Sequence, residues 1–151
     1  MKEKKFSIVI PTYNSSKYLD ELLTSTLDLK YLDEIIISDD SSDEVEFKKI
    51  KDVIQRKKFS NLSIKLNQNK HNLGGFKNKY KGVELSKNNI VYQVDSDNII
   101  SSRTANFLNR QKNLELIQNG NLFLPSKIKL FRKFKNIESL LFFRNNDVLF
   151  T

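Results

Sequence analysis

The stretch EIIISDDSSDE, Glu34 to Glu44, runs from a block of isoleucine into a block of acids and serines. A short apolar run of β-branched residues reads as a buried strand. The Asp39-Asp40 pair closes it. The next four residues, SSDE, have the Ser-x-x-Glu spacing of a capping box, in which Ser41 and Glu44 would satisfy free amides at a helix start. The helix that follows is expected to turn Val45, Phe47, Ile50, Val53 and Ile54 inward and to end around Lys58. Strand, polar tip and helix in direct succession make one βα unit.

The same unit recurs on both sides. Upstream, FSIVIP (Phe6 to Pro11) is a compact strand, and Pro11 is expected to stop its pairing. YLDELLTSTLDL (Tyr18 to Leu29) predicts a helix with Leu19, Leu22, Leu23, Thr26 and Leu27 on one face. Downstream, LSIKL alternates Leu62, Ile64 and Leu66, a half-exposed strand. NLGGFKNKYKGVEL opens on Gly74-Gly75 and continues as a helix, and NIVYQVD is a fourth strand. The order β-α-β-α-β-α-β implies an α/β fold, a mostly parallel sheet with helices on both faces. Past residue 101 the pattern weakens. Ser102 to Gln118 is helical in pattern, with Phe107, Leu108, Leu114 and Ile117 apolar and Gly120 as a stop. NLFLP and KIKLF are strand-like, and IESLLFF (Ile137 to Phe143) fits either period.

A length of 151 residues suits one domain. There is no cysteine, which excludes a disulfide framework, a thiolate metal site and a cysteine nucleophile. With no secretory cleavage pattern after MKEKK, a reducing, cytoplasmic setting is expected. No run approaches the roughly 18 apolar residues of a membrane span. The net charge is +8, and from Arg103 onward nine Lys or Arg face only Glu115, Glu138 and Asp147. That balance suits an anionic partner, or reflects a Lys- and Asn-rich composition alone. The basic residues are scattered, without the Arg-rich or aromatic-interleaved pattern of nucleic-acid binding. KIKLFRKFKNIESLLFF is basic and apolar by turns, so it could lie on a membrane surface or be core with a solvated edge.

In parallel sheets, ligands bind beyond the carboxyl ends of the strands. Three polar clusters fall there: Thr12-Tyr13-Asn14, Asp39-Asp40-Ser41-Ser42 and Asp95-Ser96-Asp97-Asn98. Asp95 and Asp97 project to one side if the strand continues, and can still converge if it turns. Two close carboxylates repel, and a hard divalent cation relieves this; oxygen ligands suit Mg²⁺ or Mn²⁺. The plain alternative is a turn with solvated acids. Tyr13 could stack on a base or be an ordinary half-buried tyrosine. Gly74 and Gly75 permit close backbone approach, and the helix start with Lys77 and Asn78 could take a diphosphate, or form only a strand-to-helix turn. Neither a P-loop nor a G-x-G-x-x-G fingerprint is present. A phosphoacceptor receiver domain would need acids after the first strand, where this chain has PTYN.

FSIVIPTYN, EIIISDDSSDE, the N-x-GG-x-x-N run from Asn72 to Asn78 and NIVYQVDSDN resemble, in order and spacing, the family 2 glycosyltransferases of the GT-A fold. The resemblance covers roughly residues 6–101. It implies a nucleotide-sugar donor, usually UDP-linked, a glycan or glycoconjugate acceptor, and a divalent metal. It implies that Tyr13 stacks on the base and Asp40 contacts it, with Asp39 close by. Lys77 and Asn78 stand where the family has an Arg-Asn pair, so Lys77 would approach the diphosphate. Asp95 would face ribose or metal, and Asp97 would be the main metal ligand. Against the family pattern the chain stops early, at Thr151. Residues 1–101 are therefore expected to be the nucleotide-sugar half, and 102–151 the incomplete start of the acceptor half. None of Glu115, Glu138 and Asp147 lies in a motif that identifies the catalytic base. A non-catalytic nucleotide-sugar-binding or interaction module is the alternative.

Overall fold

The computed structural model describes residues 5–56, 62–88 and 90–110 in full, together with the backbone of 129–132. The elements are β1 (Phe6–Thr12), α1 (Ser16–Thr24), β2 (Leu32–Asp39), α2 (Glu44–Arg56), β3 (Ser63–Gln68), α3 (Gly75–Leu85), β4 (Ile90–Gln93), α4 (Ser102–Arg110) and β5 (Lys129–Arg132). They form one sheet in the order β3-β2-β1-β4-β5. The first four strands are mutually parallel, and β5 runs antiparallel to β4. The βα alternation read from the sequence is thus the observed one, and KIKLF contributes to a strand. NLFLP, IESLLFF and residues 111–118 of the expected fourth helical stretch lie outside the described residues.

The strand order follows from the chain's path. It steps outward from β1 to β2 to β3 with α1 and α2 on one face, then returns past β1 to β4. If each crossover keeps the same hand, that reversal sends α3 to the opposite face. The two faces are two cores. Phe6, Ile8, Ile10, Ile35, Ile37, Tyr92 and Val94 pack against Leu19, Leu22 and Leu23 of α1, Ile50 and Val53 of α2 and Leu108 of α4. Val9, Ile36 and Val91 meet Val83 of α3. Alternation along one strand therefore feeds both layers, which is why β1 and β2 read as continuous apolar runs. Among the described residues no helix is long and apolar enough to cross a membrane.

Several local expectations change. The α1 helix stops at Thr24, because the hydroxyls of Thr24, Ser25 and Thr26 donate to the carbonyls of Asp20, Leu22 and Leu23 at 2.7, 2.6 and 2.7 Å and so satisfy the helix end from within. Thr26 is buried as expected, but Leu27, expected inward, is 56% exposed. Val45, also expected inward, lies in the first turn of α2 and is 65% exposed. The cap of α2 is Asp43, whose Oδ1 accepts the Glu46 amide at 2.8 Å, so the Ser41–Glu44 capping box is not formed. Ser41 instead takes a left-handed conformation, φ 66°. Pro11 does not stop the pairing of β1, which continues against β2 through Pro11↔Ser38 and Thr12↔Asp39. On the β4 side, pairing ends at Val9↔Gln93. The reason is parity. The Val9 carbonyl accepts from Val94 and the Thr12 carbonyl from Asp40, so odd residues of β1 address β4 and even residues address β2. The missing N–H of Pro11 is therefore missing only toward β4.

Candidate functional site

Strand order reverses between β1 and β4, and their ladder ends at Val9↔Gln93, before β1 reaches its own end at Thr12. This is the topological switch point, where open α/β sheets form a ligand crevice. Three loops border it, following β1, β2 and β4.

The first two loops are fastened together by Asp39, which is fully buried. Its Oδ1 accepts from the Thr12 hydroxyl at 3.2 Å and the Ser42 hydroxyl at 2.6 Å, and its Oδ2 accepts the Ser42 amide at 3.0 Å. Ser42 Oγ in turn accepts the Asn14 amide at 2.9 Å. Thr12 is buried and Asn14 sits at φ 48°, so the chain turns sharply and leaves Tyr13 between them 54% exposed. An aromatic side chain held outward by a fixed backbone is available for stacking.

Asp40 is equally internal, 3% exposed. Oδ1 accepts from Asn69 Nδ2 at 2.9 Å and the Leu73 amide at 2.8 Å, while Oδ2 accepts the Gly74 amide at 2.9 Å. The carboxylate thereby fixes Leu73 and Gly74, the two residues that lead into α3. Gly74 is required for its backbone, φ 81°, rather than for close approach: a Cβ built at Gly74 or Gly75 meets nothing within 4 Å. Asn78 points inward as well. Its Nδ2 donates to the Ser38 carbonyl at 2.8 Å, and its Oδ1 accepts from Ser38 Oγ at 2.7 Å and Asn69 Nδ2 at 3.0 Å. It ties α3 to β2 beneath the rim. Lys77, in the first turn of α3, is exposed.

Beyond β4 the chain turns, with the Asn98 amide donating to the Asp95 carbonyl at 3.0 Å. The strand does not continue through the two acids, so they share a turn. Asp97 is exposed, and Asn98 Nδ2 approaches its Oδ1 at 3.4 Å. Asp95 is held: its Oδ1 accepts Gln93 Nε2 at 3.0 Å and pairs with Lys79 Nζ at 2.8 Å. Lys79 was not singled out from the sequence. It lies one helical turn beyond Gly75 in α3, and only the packing of α3 against β1 and β2 brings it to Asp95. The available signal was its i+2 relation to Lys77, which puts one of the two lysines on the sheet side.

Among the described residues no group of three or more His, Cys, Asp or Glu could hold a metal alone. Asp95 and Asp97 supply two hard oxygen donors, a set that fits Mg²⁺ or Mn²⁺ whose remaining positions go to water and phosphate. Glu115, Glu138 and Asp147 lie outside the described residues.

Residues 7–135 match the family described as Glycosyl transferase family 2. The amylovoran biosynthesis glycosyltransferase AmsB of Erwinia amylovora is 33% identical over 103 residues, covering 64% of this chain and 32% of that protein. The poly(ribitol-phosphate) β-N-acetylglucosaminyltransferase TarS of Staphylococcus aureus is 33% identical over 104 residues, 66% of this chain and 17% of TarS. The crystal structure of TarS 1–349 in complex with UDP-GlcNAc superposes with a TM-score of 0.55 at 30% identity, over 68% of this chain and 29% of that one. The mannosyltransferase PcManGT of Pyrobaculum calidifontis, in complex with GDP-Man and Mn²⁺, has a TM-score of 0.62 at 16% identity over 74% of this chain and 32% of that one, and shares the fold. The chain thus spans about a third of one curated relative and about a sixth of the other.

Proposed function

We propose, for a chain that belongs to glycosyl transferase family 2, that residues 1–101 are the donor half of a metal-dependent transferase. The donor is a nucleotide sugar, UDP-linked, and the acceptor a glycan or glycoconjugate. The observation that carries the reading is the division of labour on the rim. The buried acids Asp39 and Asp40 spend their oxygens on the loops, while Tyr13 and Asp97 are left outward on either side of the β1–β4 crevice.

Tyr13 stacks on the base. Asp97 is the main holder of Mn²⁺ or Mg²⁺, with Asp95 beside it. A divalent ion at this position would neutralise the charge that accumulates on the departing nucleoside diphosphate. Thr12, Asn14, Asp39, Asp40 and Asn78 act by fixing the loops around the donor, and exposed Lys77 reaches toward the diphosphate. Fixing these positions before the donor arrives lowers the ordering cost of binding. The complex solved for TarS with UDP-GlcNAc supports the choice of a uridine nucleotide. We place the action in the cytoplasm, as the cysteine-free sequence suggests. The alternative reading is a module that binds nucleotide sugar without transferring it.

Isothermal titration with UDP, with and without Mn²⁺, tests the proposal. Mn²⁺-dependent binding that Asp97→Ala abolishes is expected. Because Asp97 is exposed, that substitution should leave stability within about 0.5 kcal/mol. Absence of UDP binding in Mn²⁺ sinks the donor-site reading. Release of sugar from UDP-GlcNAc by this chain would rule out the non-catalytic reading.

A further inference from the structure

Lys79 and Asp95 form an ion pair at 2.8 Å at the mouth of the crevice, with side chains 28% and 38% exposed. Gln93 donates to the same carboxylate oxygen. Asp97, on the same turn, has no such cation among the described residues. The two acids of the pair are therefore unequal: one already has a counter-ion supplied by α3, the other faces solvent.

We infer that Lys79 is a resident counter-ion of Asp95 that makes binding of a divalent cation and binding of a nucleoside diphosphate depend on each other. This rests on the donor-site reading above. Its logic is charge balance. An ion arriving alone meets an ammonium close to one of its two carboxylates and is opposed by it. A diphosphate arriving with the ion brings negative charge to the same place. Lys79 then exchanges a carboxylate oxygen for phosphate oxygens at little cost, and the opposition becomes attraction. As a compact, mobile point charge on a four-carbon stem, a lysine can make that exchange without moving the helix. Lys79 is a ligand-binding residue by this account. Linkage requires the effect to be reciprocal: whatever factor the nucleotide contributes to ion affinity, the ion contributes to nucleotide affinity.

The variant Lys79→Met keeps the length of the stem and removes the charge. Mn²⁺ affinity, measured by electron paramagnetic resonance of the free ion without nucleotide, should rise by about twofold to fivefold, the range of a partly exposed pair. UDP affinity in saturating Mn²⁺, measured by calorimetry, should fall by about the same factor or more. The factor by which UDP tightens Mn²⁺ must shrink accordingly, and Lys79→Arg should restore it. Opposite signs for ion and nucleotide are the signature, since damage to the fold would weaken both. A thermal melt of each variant confirms the folded state. If wild type binds UDP with Mn²⁺ but Lys79→Met leaves Mn²⁺ affinity unchanged or lower, the inference is overturned and the donor site stands. If wild type does not bind UDP in Mn²⁺, the donor-site reading falls and takes the inference with it.

Discussion

Gly82 sits inside α3, where glycine costs roughly 1 kcal/mol relative to alanine. Gly82→Ala would therefore be expected to stabilise the helix. The structure predicts the opposite. A Cβ at Gly82 would lie 2.4 Å from Val9 Cγ1 and 3.5 Å from Ser38 Cβ. The second distance is an ordinary contact; the first is short by about 1 Å or more of normal carbon–carbon separation. Val9 is fully buried, β-branched and in the middle strand of the sheet, so it has no alternative rotamer into free space. The helix must lift instead. Overpacking of this kind costs about 1–3 kcal/mol. After the propensity gain, a net loss of up to about 2 kcal/mol remains, or a fall in Tm of up to roughly 8 °C for a chain of this size. Lifting α3 also draws Asn78 from Ser38 and Lys79 from Asp95, so UDP binding in Mn²⁺ should weaken with stability. Urea denaturation followed by circular dichroism measures the loss. Val9→Ala removes the opposing methyl groups, and the double variant should recover about 0.5–3 kcal/mol relative to additivity. A Gly82→Ala protein more stable than wild type, or an additive cycle, would refute the packing argument.

Three further outcomes are expected. Ser41 holds a left-handed backbone at φ 66°, so Ser41→Gly should raise stability by about 0.5–1 kcal/mol once the added freedom of the unfolded glycine is counted; a loss of stability would show that the Ser41 side chain matters more than the backbone. Glu46 is held down to about 2 by the Lys49 ammonium and then by the Ser16 hydroxyl and amide. A depressed carboxyl stabilises the fold above its ordinary value of 4.5 and loses that contribution as pH falls toward 2, so Glu46→Gln should flatten the acid limb of a pH–stability curve in that window. Burial pushes Tyr92 up to about 12 from 10.0, which keeps its phenol neutral in the fold. Its contribution is complete below pH 10 and lost as pH rises toward 12; subtracting the curve of Tyr92→Phe from that of wild type should isolate the alkaline loss.

The strands and helices were legible because each carries its own period. Ile35 to Ile37 can be little other than a strand buried on both faces, and the helical spacing of Leu19, Leu22 and Leu23 survives in the core. Ends were less legible because they depend on partners. Ser-x-x-Glu fits Ser41–Glu44 as a cap, but Asp39 draws Ser42 inward through two hydrogen bonds, and the helix starts after Asp43 instead. Pro11 reads as a stop because proline lacks a donor. Which neighbour loses that donor is a matter of strand parity, visible only once β2 and β4 are known to flank β1.

The site divides the same way, and the division explains which residues a sequence can assign. Tyr13 and Asp97 are exposed residues on turns, so their chemistry is not consumed by the fold and their side chains remain as the sequence presents them. Asp39, Asp40 and Asn78 are as polar in the sequence as any ligand, yet each is buried with its oxygens or amide already engaged. A buried charge without partners would be costly, so the rim can be acidic only where loop amides and hydroxyls converge on it. Each buried acid thus fixes the backbone that presents a residue at the rim. Asp39 sets the turn that leaves Tyr13 outward, and Asp40 anchors the start of the helix that carries Lys79 to Asp95. A motif identifies the acids of such a rim together, and only the folded register separates those that hold the loops from those left free for a ligand.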